Sequence, residues 1–308
     1  MNLRMHGYRD EEDSDRIREF LREVMMLNDR HELSWHVARW DYWRWHGVLN
    51  CGGEPLEDTV FVWESETGDV AAVVNTEGKG HVFFQVHPDH RSQELEEEML
   101  DVAEEYLARA GPSGKRRVLI WADSEDHIRQ DVLSRRGYSR TGKGEQHRRY
   151  ALDDPVPEVP PPPGYTVRAL GDVEELPARS WASWRSFHPD EPDDKYLGWE
   201  WYRNVQRCPL YRQDLDIVAV SSEGEIASFT TVWYDNVTRT AYFEPMGTMP
   251  EHQRRGLGSA VLNEGLHRVK RNGCTLAFVG AEKKGPRALY ASAGFSEFDV
   301  SESWLREF

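Results

Sequence analysis

The sequence predicts an α/β protein, more narrowly an α+β mixed sheet built twice: two similar halves, each a twisted mixed sheet flanked by helices. Three observations predict it. Strand-like alternation and helix-like periodicity follow one another along the 308 residues, and the series begins again halfway. Short signatures recur at similar spacing: Pro88-Asp89-His90 against Pro250-Glu251-His252, 162 positions on, and Arg136-Gly137-Tyr138 against Ala293-Gly294-Phe295, 157 positions on. Between the halves, Asp153 to Gly164 carries Pro155, Pro157 and the run Pro160 to Pro163, which joins neither sheet nor helix and favours a semi-stiff spacer. The expected division is therefore a domain at 1–153, a Pro-rich linker at 154–164 and a second domain at 165–308.

The elements follow in order. Leu3 to Tyr8 alternates like a strand, and the acidic cluster Asp10 to Asp13 caps a helix from about Asp15 to Met26. Trp35, Trp40, Tyr42, Trp43 and Trp45 sit on a second helix, whose aromatics read as a core or interface face before they read as a pocket. Strands are expected at Val60 to Glu64, Val70 to Thr76 and His81 to His87, where Pro88 ends the run. An acidic helix at Glu94 to Ala110, a strand at Val118 to Ala122 and a helix at Ile128 to Arg136 complete the first half. The second half repeats the series: strand Tyr165 to Arg168, helices Glu174 to Phe187 and Tyr196 to Val205, and strands Leu215 to Val220, Ile226 to Trp233 and Tyr242 to Thr248. A helix to about Asn272, a strand at Thr275 to Val279 and a helix around Tyr290 follow.

Composition removes several classes of function. Hydrophobic residues make up 39% and charged residues 30%, a globular balance. No apolar run approaches the roughly twenty residues of a membrane span, and Met1 to His6 lacks the apolar core of a signal peptide, so a cytoplasmic protein with no membrane partner is expected. Cys51, Cys208 and Cys274 are odd in number and far apart, which suggests neither a disulfide framework nor a metal site. The net charge of −16 argues against nucleic acid; it suits a cationic or amine-bearing ligand, although an acidic surface more often serves solubility alone. The expected assembly is a monomer or homodimer.

The chemistry concentrates at Gln253-Arg254-Arg255-Gly256-Leu257-Gly258-Ser259-Ala260, where a strand gives way to a helix. Gly256 and Gly258 free the backbone N–H groups to converge on an anion, Arg254 and Arg255 add charge, and the helix N-terminus adds roughly half a positive unit. A diphosphate fits such a cradle. A P-loop would need Gly-Lys-Ser/Thr, and a dinucleotide fingerprint a third glycine where Val261 stands.

The Gln/Arg-x-x-Gly-x-Gly pattern after a strand resembles motif A of the GNAT acetyltransferase superfamily. Ala288-Leu289-Tyr290-Ala291-Ser292-Ala293-Gly294-Phe295 looks like its second signature, and the duplicated layout is similar to tandem GNAT proteins of the mycothiol synthase type. The resemblance implies two GNAT-like domains, acetyl-CoA as co-substrate and no metal. It implies direct transfer of an acetyl group to the amine of a small molecule or peptide. Cofactor contacts fall on Arg254, Arg255, Gly256, Leu257, Gly258 and Ser259, with the thioester carbonyl polarised by backbone at Met246, Gly247 and Thr248, where Gly247 suits a bulge. Tyr290 takes the role of proton donor to the departing thiolate. Glu244 takes that of general base, on the same strand face as Tyr242, where relatives often carry Glu; Glu282 or a water route are alternatives. Lys283 and Pro286 depart from the family pattern, which usually has Asn and Ala there.

The halves are chemically unequal. Glu94 and Glu96 stand where the cradle glycines would be, Ser92 and Gln93 replace its arginines, and Leu133 replaces Tyr290, so the first domain is expected to be a degenerate copy that does not bind acetyl-CoA. Two other functions stay open: a CoA-binding sensor or interaction module without turnover, and transfer of another acyl group or to another acceptor.

Overall fold

The structure is a computed structural model that describes residues 3–153 and 155–308. Met1 and Asn2, at the start read for a signal peptide, and Asp154 of the Pro-rich stretch lie outside the described residues. Two compact units emerge: one runs to His147 and takes back Asp299–Phe308, and the other is Arg148–Phe298. The division thus falls at Arg148 and Asp299 rather than within the prolines.

In the first unit, β1 (Arg4–Gly7) leads to α1 (Glu11–Leu27), whose N-cap Asp10 accepts from the Glu12 and Asp13 amides while Glu11, Glu12 and Asp13 oppose the positive helix end. The Trp-rich segment forms α2 (Val37–Tyr42), which widens into a π turn at Trp43–Val48; Trp35, Trp40 and Trp43 are buried. After α3 (Leu56–Thr59) come β2 (Phe61–Glu64), β3 (Val70–Thr76) and β4 (His81–Val86). Next are α4 (Gln93–Val102), continued by a π turn Ala103–Leu107, β5 (Arg109–Ala110), β6 (Arg116–Asp123), α5 (His127–Arg135) and β7 (Ser139–Ala151). Strands β1 to β4 pair antiparallel in sequence, and β4 then runs parallel to β6. Phe84, Val86, Leu95, Met99, Ile120, Val132 and Trp304 share one core.

In the second unit, β8 (Tyr165–Ala169) is followed by α6 (Leu176–Phe187), α7 (Tyr202–Gln206), β9 (Asp216–Ser221), β10 (Ile226–Asp235) and β11 (Thr240–Thr248). Then come α8 (Leu257–Arg271), β12 (Leu276–Ala281), α9 (Lys284–Ser292) and β13 (Glu297–Glu307). The order β8-β9-β10-β11 is antiparallel throughout, and β11 runs parallel to β12. Leu262, Leu266 and Val269 of α8 pack against Val232, Phe243 and Val279.

Three differences from the sequence reading have identifiable physical causes. The expected helix Tyr196 to Val205 shrinks to α7, because Gly198 takes φ +99, outside helical backbone. β7 is new: its Ser-Arg-Thr-Gly-Lys-Gly-Glu-Gln-His-Arg-Arg run is too polar to alternate visibly. β13 is also new, and its Ser301–Glu307 pairs antiparallel with Asp123–Arg117 of β6, which returns the last ten residues to the first unit.

Candidate active site

The site lies where two strands part. β11 and β12 pair at Thr240, Ala241 and Tyr242 and no further, so the rest of β11 diverges from β12. A bulge helps it diverge: Thr230 faces Met246 and Val232 faces Phe243, leaving Glu244 and Pro245 as two residues opposite Thr231. The bulge expected at Gly247 therefore sits earlier on the strand. Gly247 is required for another reason, since a Cβ there would lie 2.6 Å from the Phe229 ring and 2.9 Å from Ser186 Cβ. It lets the end of α6 close against β11.

The ladder also decides which amides face the opening. Met249 N–H donates to Ala227 at 2.9 Å, so by antiparallel alternation Gly247 bonds toward β10. Met246 and Thr248 consequently turn their N–H groups away from β10, to the side β12 has left. There a cleft of about 550 Å³ opens, lined by Met246, Gly247, Thr248, Gly256 to Ser259 and Tyr290 among others.

Its floor is the start of α8. Arg254 holds φ +63 and Gly256, the N-cap, φ +84, a backbone that only glycine takes without strain; no side chain caps this helix and no acid lies in its first turn. The first N–H groups of α8 are thus left to the cleft. At Gly258 a Cβ would come within 3.3 Å of Leu289 and 3.5 Å of Met246, so this glycine keeps β11, α8 and α9 close.

The candidate residues divide into those the cleft gathers and those it does not. Arg254, Leu257, Gly258 and Ser259 line it, with the Arg254 side chain exposed. Arg255 is turned aside: its guanidinium bonds the Tyr165 hydroxyl and the Glu251 carbonyl, each at 3.0 Å. Tyr290 lines the cleft although 94% buried, and burial, reinforced by the charge of Glu244, raises its phenol well above the ordinary value. Glu244 is not among the lining residues; its carbonyl accepts from Trp233 Nε1. Residues missed from sequence also line the cleft: Ser186 and Phe187 from α6, His252, and Leu289 beside Tyr290. Lys283 and Pro286, known from sequence only as departures, line it too. His252 is held by Tyr165 Oη at 2.8 Å and Glu225 at 2.9 Å.

Among the described residues, the one His and carboxylate group tight enough for an ion is His6, Asp13 and Glu64, already neutralised by Arg9 and Arg16. No helix among them is long and apolar enough to cross a membrane.

This geometry has counterparts. Residues 173–295 match the family model of the Acetyltransferase (GNAT) family. A mycothiol acetyltransferase of Paenarthrobacter aurescens is 24% identical over 263 residues, covering 80% of this chain and 76% of its own. Among solved structures, a GCN5-related N-acetyltransferase from Sphaerobacter thermophilus superposes with a TM-score of 0.67 at 18% identity, over 99% of this chain and 95% of its own. A tandem GNAT protein from the clavulanic acid biosynthesis pathway superposes with 0.66 at 15% identity, over 99% and 98%. The chain has the fold of tandem GNAT proteins, and its residues 173–295 match the GNAT acetyltransferase family.

Proposed function

We propose that the cleft of the second unit binds acetyl-CoA and that the chain transfers the acetyl group to the amine of a small molecule or peptide by direct attack on the thioester. The observation that carries this reading is the uncapped start of α8 opening on the gap between β11 and β12. The cradle fits a diphosphate: its N–H groups are undisputed by any capping side chain, and Gly256 and Gly258 leave no Cβ to fill it. Arg254 adds a cation there. Acetyl-CoA supplies an acyl group activated as a thioester. The Met246 and Thr248 amides are fixed donors for its carbonyl, so little reorganisation accompanies charge development.

Tyr290 keeps its proton at Oη throughout the neutral range, because burial and Glu244 both oppose its loss. It therefore serves the departing sulfur as a hydrogen-bond donor. Glu244, whose charge acts on Tyr290, is the base assigned to the incoming ammonium, whose ordinary pKa near 10.4 would otherwise keep it protonated. The relative named as a mycothiol acetyltransferase favours a small molecule over a peptide as acceptor. The first unit is a degenerate copy with no acyl donor of its own, and the enzyme belongs in the cytoplasm, as monomer or homodimer.

Thiol release from acetyl-CoA in the presence of a panel of amines tests the reading. Release that depends on one class of amine supports transfer. Tight CoA binding with no amine-dependent release would instead make the chain a CoA-binding module.

A further inference from the structure

The loop that forms the cradle, Met249 to Gly256, stores strain: Arg254 is held at φ +63 although it carries a side chain, and the helix it opens has no side-chain cap. Such a backbone persists only where its surroundings hold it. A line of hydrogen bonds does so here. The Arg255 guanidinium donates to Tyr165 Oη at 3.0 Å, Tyr165 Oη lies 2.8 Å from His252 Nδ1, and His252 Nε2 lies 2.9 Å from Glu225 Oε2. A carboxylate only accepts, so Nε2 donates to Glu225; in the neutral imidazole Nδ1 then accepts from the Tyr165 hydroxyl, whose oxygen accepts from Arg255. The line runs from the residue before Gly256 to the turn between β9 and β10. Tyr165 is its hub, and its ring adds to the hold: it packs with Leu257 and Val261 at the start of α8 and meets the His252 ring edge-on at 5.8 Å.

Neither Tyr165 nor Glu225 lines the cleft, whereas His252, Arg254 and Gly256 do. The line therefore reaches the cleft from outside it. The first unit lacks the hub. Tyr165, the first residue of β8, pairs with Ser221 at the end of β9, and the first residue of β1 that pairs with the end of β2 is Arg4, opposite Glu64. His90 is kept in the turn before α4, but Gln93 stands where Arg255 does, and Ser92 caps the helix with its own side chain. The tyrosine hub thus accompanies the helix start that is left uncapped.

We propose that Tyr165 is a positioning residue for the acyl donor: its hydroxyl joins Arg255 to the His252–Glu225 pair and so holds Arg254 and the first α8 amides in the geometry that receives the diphosphate. This rests on the reading of the cleft as the acetyl-CoA site. Glu225 acts through His252, and Arg255 serves the diphosphate indirectly, by fixing the loop rather than by touching the anion. A loop ordered beforehand spares the donor the cost of ordering it on binding.

Titration calorimetry of the full chain with CoA, at about 150 mM salt and below the melting temperature of every variant, tests the proposal. Tyr165→Phe keeps the ring and removes the hydroxyl, so CoA affinity should fall about tenfold and KM for acetyl-CoA rise in proportion, with kcat at saturation unchanged. Glu225→Ala, at an exposed position outside the cleft, is the sharper variant. Loss of a negative charge near an anion site predicts tighter binding from electrostatics alone, whereas release of His252 predicts binding weaker by about threefold. The double variant should bind about as Tyr165→Phe does, since both changes break one line. Thr166→Ala, exposed on the same strand, should bind as the parent does. Unchanged CoA affinity in Tyr165→Phe, tighter binding in Glu225→Ala, or equal weakening by Thr166→Ala would overturn the positioning role alone. A parent chain that binds no CoA would overturn it together with the reading of the cleft.

Discussion

The two units part their sheets in the same way and fill the gap oppositely. β4 and β6 pair only at His81 and Val82, as β11 and β12 pair only up to Tyr242. In the first unit the chain itself enters the gap: the Val86 amide donates to Ser34 Oγ at 3.2 Å, and the Trp35 amide to Gln85 Oε1 at 2.7 Å. Val86 lies 162 positions before Thr248, whose amide faces the open cleft. Trp35, Phe83 and Trp121 pack the remaining space, with Phe83 and Trp121 stacked at 5.8 Å and Arg39 4.8 Å above Trp35. The enclosed volume left is about 30 Å³, room for a water. Capping follows the same contrast. Ser92 caps α4 and Asp126 caps α5 with their own side chains, whereas α8 and α9 have no side-chain cap. Duplication thus preserved the frame, while side chains that satisfy one copy internally are missing from the other, which is left able to hold a ligand.

The largest effect expected comes from making the second unit resemble the first. Gly256→Glu puts a carboxylate where phosphate would sit and forces a side chain onto φ +84, so CoA affinity should fall by about a thousandfold or more, while Glu94→Gln, at an exposed position, leaves it unchanged. Calorimetric titration of both variants reads this directly.

The filling of the first unit should also be visible in stability. His147 is buried beside Glu32 at 3.1 Å and Glu145 at 3.7 Å; burial opposes its charge, but the two carboxylates outweigh it and lift it to about 9. Its folded value is above its unfolded one, so the stabilisation is full below about pH 6.5 and lost as pH rises through about 9. His147→Gln should cost roughly 3 kcal/mol at pH 6 and much less at pH 9.5 by urea unfolding. A pH-independent difference would show that packing, not the charge pair, holds this region.

A smaller effect separates holding a ligand from using it. Tyr290→Phe should keep CoA affinity and lower kcat about a hundredfold, since the substitution removes one donor from a packed ring. An unchanged kcat under conditions where chemistry limits turnover would reduce Tyr290 to a wall of the cleft.

How much of this was legible in the sequence depended on how local the cause was. The start of α8 was readable because Gly256 reports a left-handed backbone at its own position, and the placement of Tyr290 in the cleft because it travels with Gly294 in one short signature. The inequality of the halves was readable from Glu94 and Leu133. Its mechanism was not: that Ser34 reaches the Val86 amide, 52 residues away, has no sequence signature. The same holds for β13, whose partner β6 lies nearly two hundred residues earlier, and for Arg255, whose diversion to Tyr165 depends on β8. Ser186 and Phe187 enter the cleft only because Gly247 admits α6, a contact invisible until both elements are placed.

The contrast between an open and a filled gap is tested most directly by the stoichiometry of CoA binding to the intact chain. Calorimetric titration should give one site per chain, lost in Gly256→Glu and retained when Ser34 is changed to Ala. Two sites per chain, or one site that survives Gly256→Glu, would contradict the account.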